Sequence, residues 1–234
     1  MNTLISTAYP LENNQAIGYM SGYYGIFYFS VIEGTKQTLQ IYTGQLIASQ
    51  QNRKKINLLL RQNILLCLTI FIFVTLPFIF AYRPFLSQIG VQDEVVQLTF
   101  SLLIKTIPAM ALRSFTDSCS SVVQGAGFIR SFGFSNFCNL IAFFAYSYTL
   151  VLGVGMGLNG YCISVFIYEF TSLVICGFFY KFRLQKEIRD YSIKTFTKLC
   201  WYINEAGKLI NAIIFTFILT ELLMVILTLA KDPN

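Results

Sequence analysis

Apolar stretches of about bilayer-spanning length alternate with short polar breaks along most of the chain, and this rhythm predicts six transmembrane helices. A span needs roughly 20 predominantly apolar residues. The first candidate covers residues 17–48 and the second 57–82, which holds the clearest apolar run, ILLCLTIFIFVTLPFIFAY. A short segment with Asp93 and Glu94 leads to the third, 95–124, where Pro108 is expected to kink the helix. The fourth covers 131–152. Eight residues, GVGMGLNG (153–160), have few bulky side chains and read as a tight hairpin turn before the fifth span, 161–180. The segment KFRLQKEIRDYSIKTFTK (181–198) is the only densely charged part of the chain and reads as a connecting helix along the membrane surface. A sixth span follows at 208–230. The expected organisation is a polar segment 1–16, a five-helix unit 17–180, a charged cytoplasmic connector 181–207 and a last helix within 208–234. The fold class is all-α and polytopic.

Composition narrows the function. Of 234 residues, 55% are hydrophobic and 12% charged, and a mean hydropathy of +0.61 exceeds that of water-soluble domains. The sequence has no histidine, which removes the commonest metal ligand, the usual general base and every Ser-His or Cys-His nucleophile pairing. Enzyme chemistry of the familiar hydrolytic kinds is not expected, nor is a cofactor. Cys67, Cys119, Cys138, Cys162, Cys176 and Cys200 include no CxxC pair, so neither a zinc site nor a disulfide framework is suggested.

The net charge of +6 reports topology and not nucleic acid, because the basic residues are not interleaved with stacking aromatics on a soluble surface. Arg53, Lys54, Lys55, Arg130, Lys181, Arg183, Lys186, Arg189, Lys194 and Lys198 fall in one set of alternate loops, and only Arg83 and Lys231 in the other. Cytoplasmic loops carry the basic excess, so both chain ends are expected outside. The first sixteen residues are polar, carry Glu12 and lack Lys or Arg, so they are no secretory signal. A helix preceding them would explain their export.

Ionisable groups inside the spans mark candidate sites, because the bilayer interior tolerates them poorly. In the first span Glu33, Lys36, Gln37, Gln40, Thr43 and Gly44 recur at helical spacing and form a stripe expected to face the bundle interior. Glu33 and Lys36 can neutralise each other at i,i+3 or line a transport path. In the third span Arg113 and Asp117, four apart, suit a structural ion pair within one helix. Glu169 and Glu221 differ, since neither has a basic residue three or four positions away. Each can exchange a proton as a coupling group, meet a cation from a neighbouring helix, or stay protonated as a hydrogen-bond donor.

Four stretches, in order and at matching separations, resemble the MATE (multidrug and toxic compound extrusion) family. EGTKQTLQIYTGQLIASQQNRKK is similar to that family's second helix, with Gly34, Gly44 and Gln45 at matching positions. FLSQIGVQDEVVQLTFSLLIKTIPAMALRSFTDSCSSVVQGAG resembles its "LGQDPE" segment, internal Ile-Pro and closing "QAQG", through Gln92, Asp93, Glu94, Ile107, Pro108, Gln124 and Gly127. TLVLGVGMGLNGYCISVFIYEF resembles the hairpin between helices five and six, and TELLMVILTLAKDP the end of helix seven. The family orientation, with helix two starting outside, agrees with the charge count.

The resemblance implies an incomplete MATE-type bundle, helices two to seven of twelve, crossing the boundary between two six-helix lobes. It implies an antiporter exporting organic cations, drugs or other amphipathic solutes in exchange for protons or sodium, with the remainder of the transporter as a further partner. Glu221 falls on the helix-seven glutamate linked in relatives to coupling, while Thr216 replaces a second family acid. Asn139 corresponds loosely to an Asn in the family's cation site, and Glu169, Glu33, Lys36, Gln40 and Gln45 are expected to shape the cavity. The alternatives are a non-transporting accessory or structural membrane subunit, or a truncated transporter fragment.

Overall fold

The computed structural model describes residues 11–49, 54–184 and 201–213, apart from the side chains of residues 26, 27, 29, 30, 54, 183 and 184. Glu221, Thr216, most of the charged connector and most of the sixth expected span lie outside the described residues. All regular structure among the described residues is helical. Lipid offers no hydrogen bonds, so a spanning segment must satisfy its backbone internally, and the helix does this within one segment.

Helix α1 is a continuous helical stretch made of Leu11–Tyr23, a π-helical turn Tyr24–Phe29 and Ser30–Ala48. α2 is built the same way, from Lys54–Ile70, a π turn Phe71–Thr75 and Leu76–Gln88. α3 is Asp93–Gly125, α4 is Ile129–Tyr148 ending in a π turn Thr149–Gly153, and α5 is Gly157–Phe179 ending in a π turn Tyr180–Leu184. α6 comprises residues 201–213. Four stretches among the described residues are long and apolar enough to cross a membrane: Lys55–Gln88, Asp93–Gly125, Ile129–Gly153 and Gly157–Phe182. α1 is not one of them: Gly, Tyr and Ser dilute the apolar residues of its first half, and the polar stripe those of its second half.

Three boundaries differ from the sequence expectation. Residues 11–16 are already helical and continuous with the rest of α1, so they belong to the helix and not to a separate polar segment. The expected boundary between residues 207 and 208 falls inside α6. The glycine-rich reversal is also shorter than eight residues: the chain turns at 154–156 and helix resumes at Gly157. Gly155 and Gly157 take φ of 75° and 57°, which glycine adopts without the Cβ penalty. The next glycine serves proximity instead: a Cβ on Gly160 would sit 2.8 Å from the Leu150 carbonyl oxygen. α3 runs unbroken through Pro108.

α3 is the central helix, packed against α1, α2, α4 and α5. One apolar cluster at its N-terminal half gathers Tyr23, Tyr28, Ile32, Phe71, Ile79, Leu102 and Met110. A second at its C-terminal half gathers Leu39, Ile56, Leu60, Val122, Phe132, Cys176 and Tyr202. Between them lies a polar layer. Asn63 Nδ2 donates to Ser118 Oγ (2.8 Å), Tyr202 donates its hydroxyl to Asn63 Oδ1 (2.7 Å), and Ser118 Oγ donates to the Ser114 carbonyl (2.8 Å). These bonds tie α2, α3 and α6 at one height. Close approach is secured by small residues: a Cβ on Gly125 would lie 2.6 Å from the Gln40 carbonyl oxygen, and one on Gly34 2.7 Å from Ile210 Cα.

The outer surface is apolar. Phe73, Phe134, Phe137, Ile141, Phe170, Val174 and Phe178 are exposed, as expected of a polytopic protein whose solvent at that depth is hydrocarbon. Chain reversal after each long helix puts Lys55, Arg130 and Lys181 at one end of the bundle and Asp93 and Glu94 at the other.

Candidate functional site

The middle of α3 carries the two charges that the sequence placed one turn apart. Arg113 Nε lies 3.4 Å from Asp117 Oδ2. The helix is not self-contained, however, because Arg113 Nη1 also lies 3.6 Å from Glu169 Oε1 on α5. The expected intrahelical pair is therefore one arm of a three-residue cluster. Glu169 meets a cation from a neighbouring helix, which its own helix could not reveal. Its side chain is only 6% exposed, against 17% for Asp117 and 33% for Arg113.

Charge counting gives the cluster its chemistry. Among the described residues one guanidinium faces two carboxylates, so with all three ionised these three side chains carry a net charge of −1. A buried charge is costly unless it is compensated. The electrically neutral state of this cluster takes one further positive charge, whether a proton, a metal cation or an organic cation.

Beside the cluster is a cavity of about 320 Å³, within the range of small-molecule sites. Arg113 and Glu169 form its charged wall, and Tyr24 of α1, Phe143 of α4 and Tyr161 and Tyr168 of α5 supply aromatic surface. The π-helical turn of α1 begins at Tyr24, and π turns are frequent where a helix re-aims side chains into a site. The neighbouring Tyr23 donates its hydroxyl to the Thr75 carbonyl at 2.5 Å, which locks this part of α1 to the π turn of α2.

Asn139 on α4 is buried and lies close to this site without lining the cavity. Its Nδ2 donates to Ser172 Oγ (2.7 Å) and to the Tyr168 carbonyl (3.3 Å), on the turns that flank Glu169. Its Oδ1 is buried and accepts no hydrogen bond among the described residues.

The polar stripe of α1 is arranged differently from the expectation. Lys36 Nζ lies 3.0 Å from Glu33 Oε2 and Gln37 Nε2 donates to Glu33 Oε1 (3.4 Å), so the predicted i,i+3 pair forms. Glu33 and Lys36 lie within electrostatic reach of Asp117. Gln40 is half-buried against Gly125 and Gln45 is exposed near the end of the helix. None of Glu33, Lys36, Gln40 and Gln45 lines the cavity, which α1 instead reaches through Met20, Ser21 and Tyr24. The reason is axial position: nine residues separate Tyr24 from Glu33, about 13 Å along a helix.

The tyrosines of the cavity went unassigned in the sequence, where Tyr is too common to single any out. A signal was present on α5. Tyr161, Val165, Tyr168 and Glu169 recur at i, i+4, i+7 and i+8, which puts them on one helical face with the acid.

No protein-family model matches the sequence, and no curated protein matches it. Among solved structures, the chain is similar to the crystal structure of the eukaryotic MATE transporter AtDTX14, with a TM-score of 0.80 and 17% sequence identity. The likeness covers 92% of this chain and 48% of that one. The chain thus spans about half the length of that transporter, and its fold is that of a partial MATE bundle.

Proposed function

We propose that this chain forms part of a membrane antiporter that exports organic cations or amphipathic solutes in exchange for protons or sodium. The observation that carries this reading is the cluster of Arg113, Asp117 and Glu169, itself one charge short of neutrality, of which Arg113 and the buried Glu169 stand in the wall of an aromatic cavity within a membrane-spanning bundle. A site neutralised by one positive charge binds a proton or a cationic solute in competition. Competition of that kind is what couples opposite fluxes, since each species displaces the other. The aromatic faces of Tyr24, Tyr161 and Tyr168 favour an organic cation over a hydrated inorganic one. Asn139 Oδ1 offers a further neutral acceptor near Glu169. Glu221, outside the described residues, is the second coupling acid that the sequence resemblance implies.

The alternating-access movement of such a carrier needs two packed bundles that rock against each other, and in this reading the five-helix unit belongs to one of them. Proteoliposomes containing the protein, loaded with a fluorescent organic cation and given an inward proton or sodium gradient, test this directly. Gradient-dependent efflux that is lost in Glu169→Gln is expected, and Glu221→Gln tests the second acid in the same assay. Efflux unchanged in Glu169→Gln would remove that residue from coupling. Absence of flux from a folded preparation held in a stoichiometric complex with another membrane protein would favour an accessory role.

A further inference from the structure

A second cavity, of about 480 Å³, opens between α2 and α3 at the end of the bundle opposite the basic loops. It is lined by Arg83, Gln97, Phe100, Ser101, Ile104 and Lys105. Two cations converging on one groove is unexpected at this end, where the distribution of Lys and Arg between alternate loops leaves almost none. Lys105 is also unusual among the basic residues inside the spans. Lys36, Arg113 and Lys208 each meet a carboxylate within 4 Å, whereas Lys105 Nζ donates to the neutral Asn159 Oδ1 at the start of α5 (2.7 Å).

Arg83 has no carboxylate partner either among the described residues; its guanidinium lies 5.5 Å from the centre of the Phe100 ring. That contact holds the group in place while consuming none of its N–H donors. Asp93 and Glu94, in the first turn of α3, are the nearest acids along that helix, and neither lines the groove. The groove therefore presents two cations, a serine hydroxyl and a glutamine amide, with no carboxylate among its described lining residues.

Its surroundings identify the ligand class. Phe80 and Ile104 are exposed beside the two cations, and Phe80 packs edge-on against Phe100 at 5.9 Å. α3 has 33 residues, more than the roughly 20 that cross the hydrocarbon core, so its first turns reach the headgroup level; Lys105, about 18 Å along the helix, approaches that level through its long side chain. We propose that this groove binds the phosphate group of a phospholipid, with Arg83 and Lys105 on the phosphate oxygens and the acyl chains along the exposed aromatic and aliphatic face of α2 and α3. Arginine and lysine donors on a phosphate form charge-assisted hydrogen bonds, and the guanidinium can engage two oxygens at once.

Native mass spectrometry of the detergent-purified protein, titrated with phosphatidylglycerol or a neutral diacylglycerol of the same chains, tests this. Wild type is expected to retain phosphatidylglycerol in preference to diacylglycerol, and Arg83→Gln with Lys105→Gln to weaken that binding roughly tenfold or more. Arg83→Lys with Lys105→Arg keeps both charges and is expected to retain binding. Lys181→Gln, at the opposite end, is expected to leave it unchanged, which separates this groove from general surface attraction. Equal phosphatidylglycerol retention in wild type and the Gln pair would overturn the proposal. So would a groove that takes up inorganic phosphate while showing no preference for the phospholipid over diacylglycerol.

Discussion

Replacing Asn63 by leucine removes the side chain that joins three helices in the polar layer. Asn63 and Tyr202 are both 0% exposed, so the Tyr202 hydroxyl has no water to turn to when its acceptor at 2.7 Å is lost. Ser118 suffers less, because its hydroxyl still donates to the Ser114 carbonyl at 2.8 Å. An orphaned buried hydroxyl costs about 1–3 kcal/mol. Interhelical hydrogen bonds in membrane proteins average only about 0.6 kcal/mol in double-mutant cycles, with a maximum near 1.7 kcal/mol. Complete burial puts this bond toward the top of that range, so a coupling of about 1.5 kcal/mol is expected between Asn63→Leu and Tyr202→Phe. The double variant is then more stable than the sum of the single losses allows, since it leaves no orphaned hydroxyl. Trp201 is the only tryptophan in the chain and packs edge-on against Tyr42 at 4.9 Å. Its fluorescence follows the docking of α6 while circular dichroism follows the helices, both during reversible unfolding in mixed micelles. Stability losses that add to within about 0.3 kcal/mol would refute the idea that this bond clamps α6 to the bundle.

Further outcomes follow from the packing and the site. Gly125→Val forces a side chain to within 2.6 Å of the Gln40 carbonyl oxygen; it is expected to cost about 1–3 kcal/mol in the same unfolding assay. Gly133→Ala, which meets nothing within 4 Å, is expected to be nearly neutral. A nitroxide on a single-cysteine variant retaining Cys138, exposed on the face of α4 that carries Phe134 and Ile141, is expected to be relaxed by oxygen more than by an aqueous nickel chelate. The reverse ranking would place that face in water. Arg113→Gln leaves Asp117 and Glu169 without their shared cation and is expected to reduce stability by up to about 3–5 kcal/mol, less whatever the partly exposed site recovers from water. Glu169→Gln should partly restore an Arg113→Gln protein, and no restoration would mean that Glu169 carries no charge there.

Hydrophobic rhythm gave α2, α3, α4 and α5 to within a few residues, because a bilayer imposes a length on apolar runs that no local propensity can disguise. The same rhythm gave α1 as a helix, and its stripe of Glu33, Lys36, Gln37, Gln40 and Thr43, recurring at helical spacing, marked it as the span least suited to face lipid. The Gly155 to Gly157 reversal was readable in place but not in extent, since glycines serving close helix contact look the same in sequence as glycines serving a turn. Among site residues, the pairs within one helix were accessible from spacing alone, as Glu33 with Lys36 and Arg113 with Asp117. The contact of Arg113 with Glu169 was not, because it depends on which faces of α3 and α5 meet. For the same reason the cavity tyrosines, and the distance of the α1 stripe from the cavity, became visible only in three dimensions.

Competition at the Arg113, Asp117 and Glu169 cluster is measured most directly by calorimetric binding of a lipophilic organic cation in buffers of different ionisation enthalpy. If the site exchanges a proton for a cation, binding releases on the order of one proton per cation as it is carried through the range where Glu169 is protonated, and Glu169→Gln abolishes that release. Undiminished proton release from the Glu169→Gln protein, or cation binding that is independent of pH in the wild type, would contradict it.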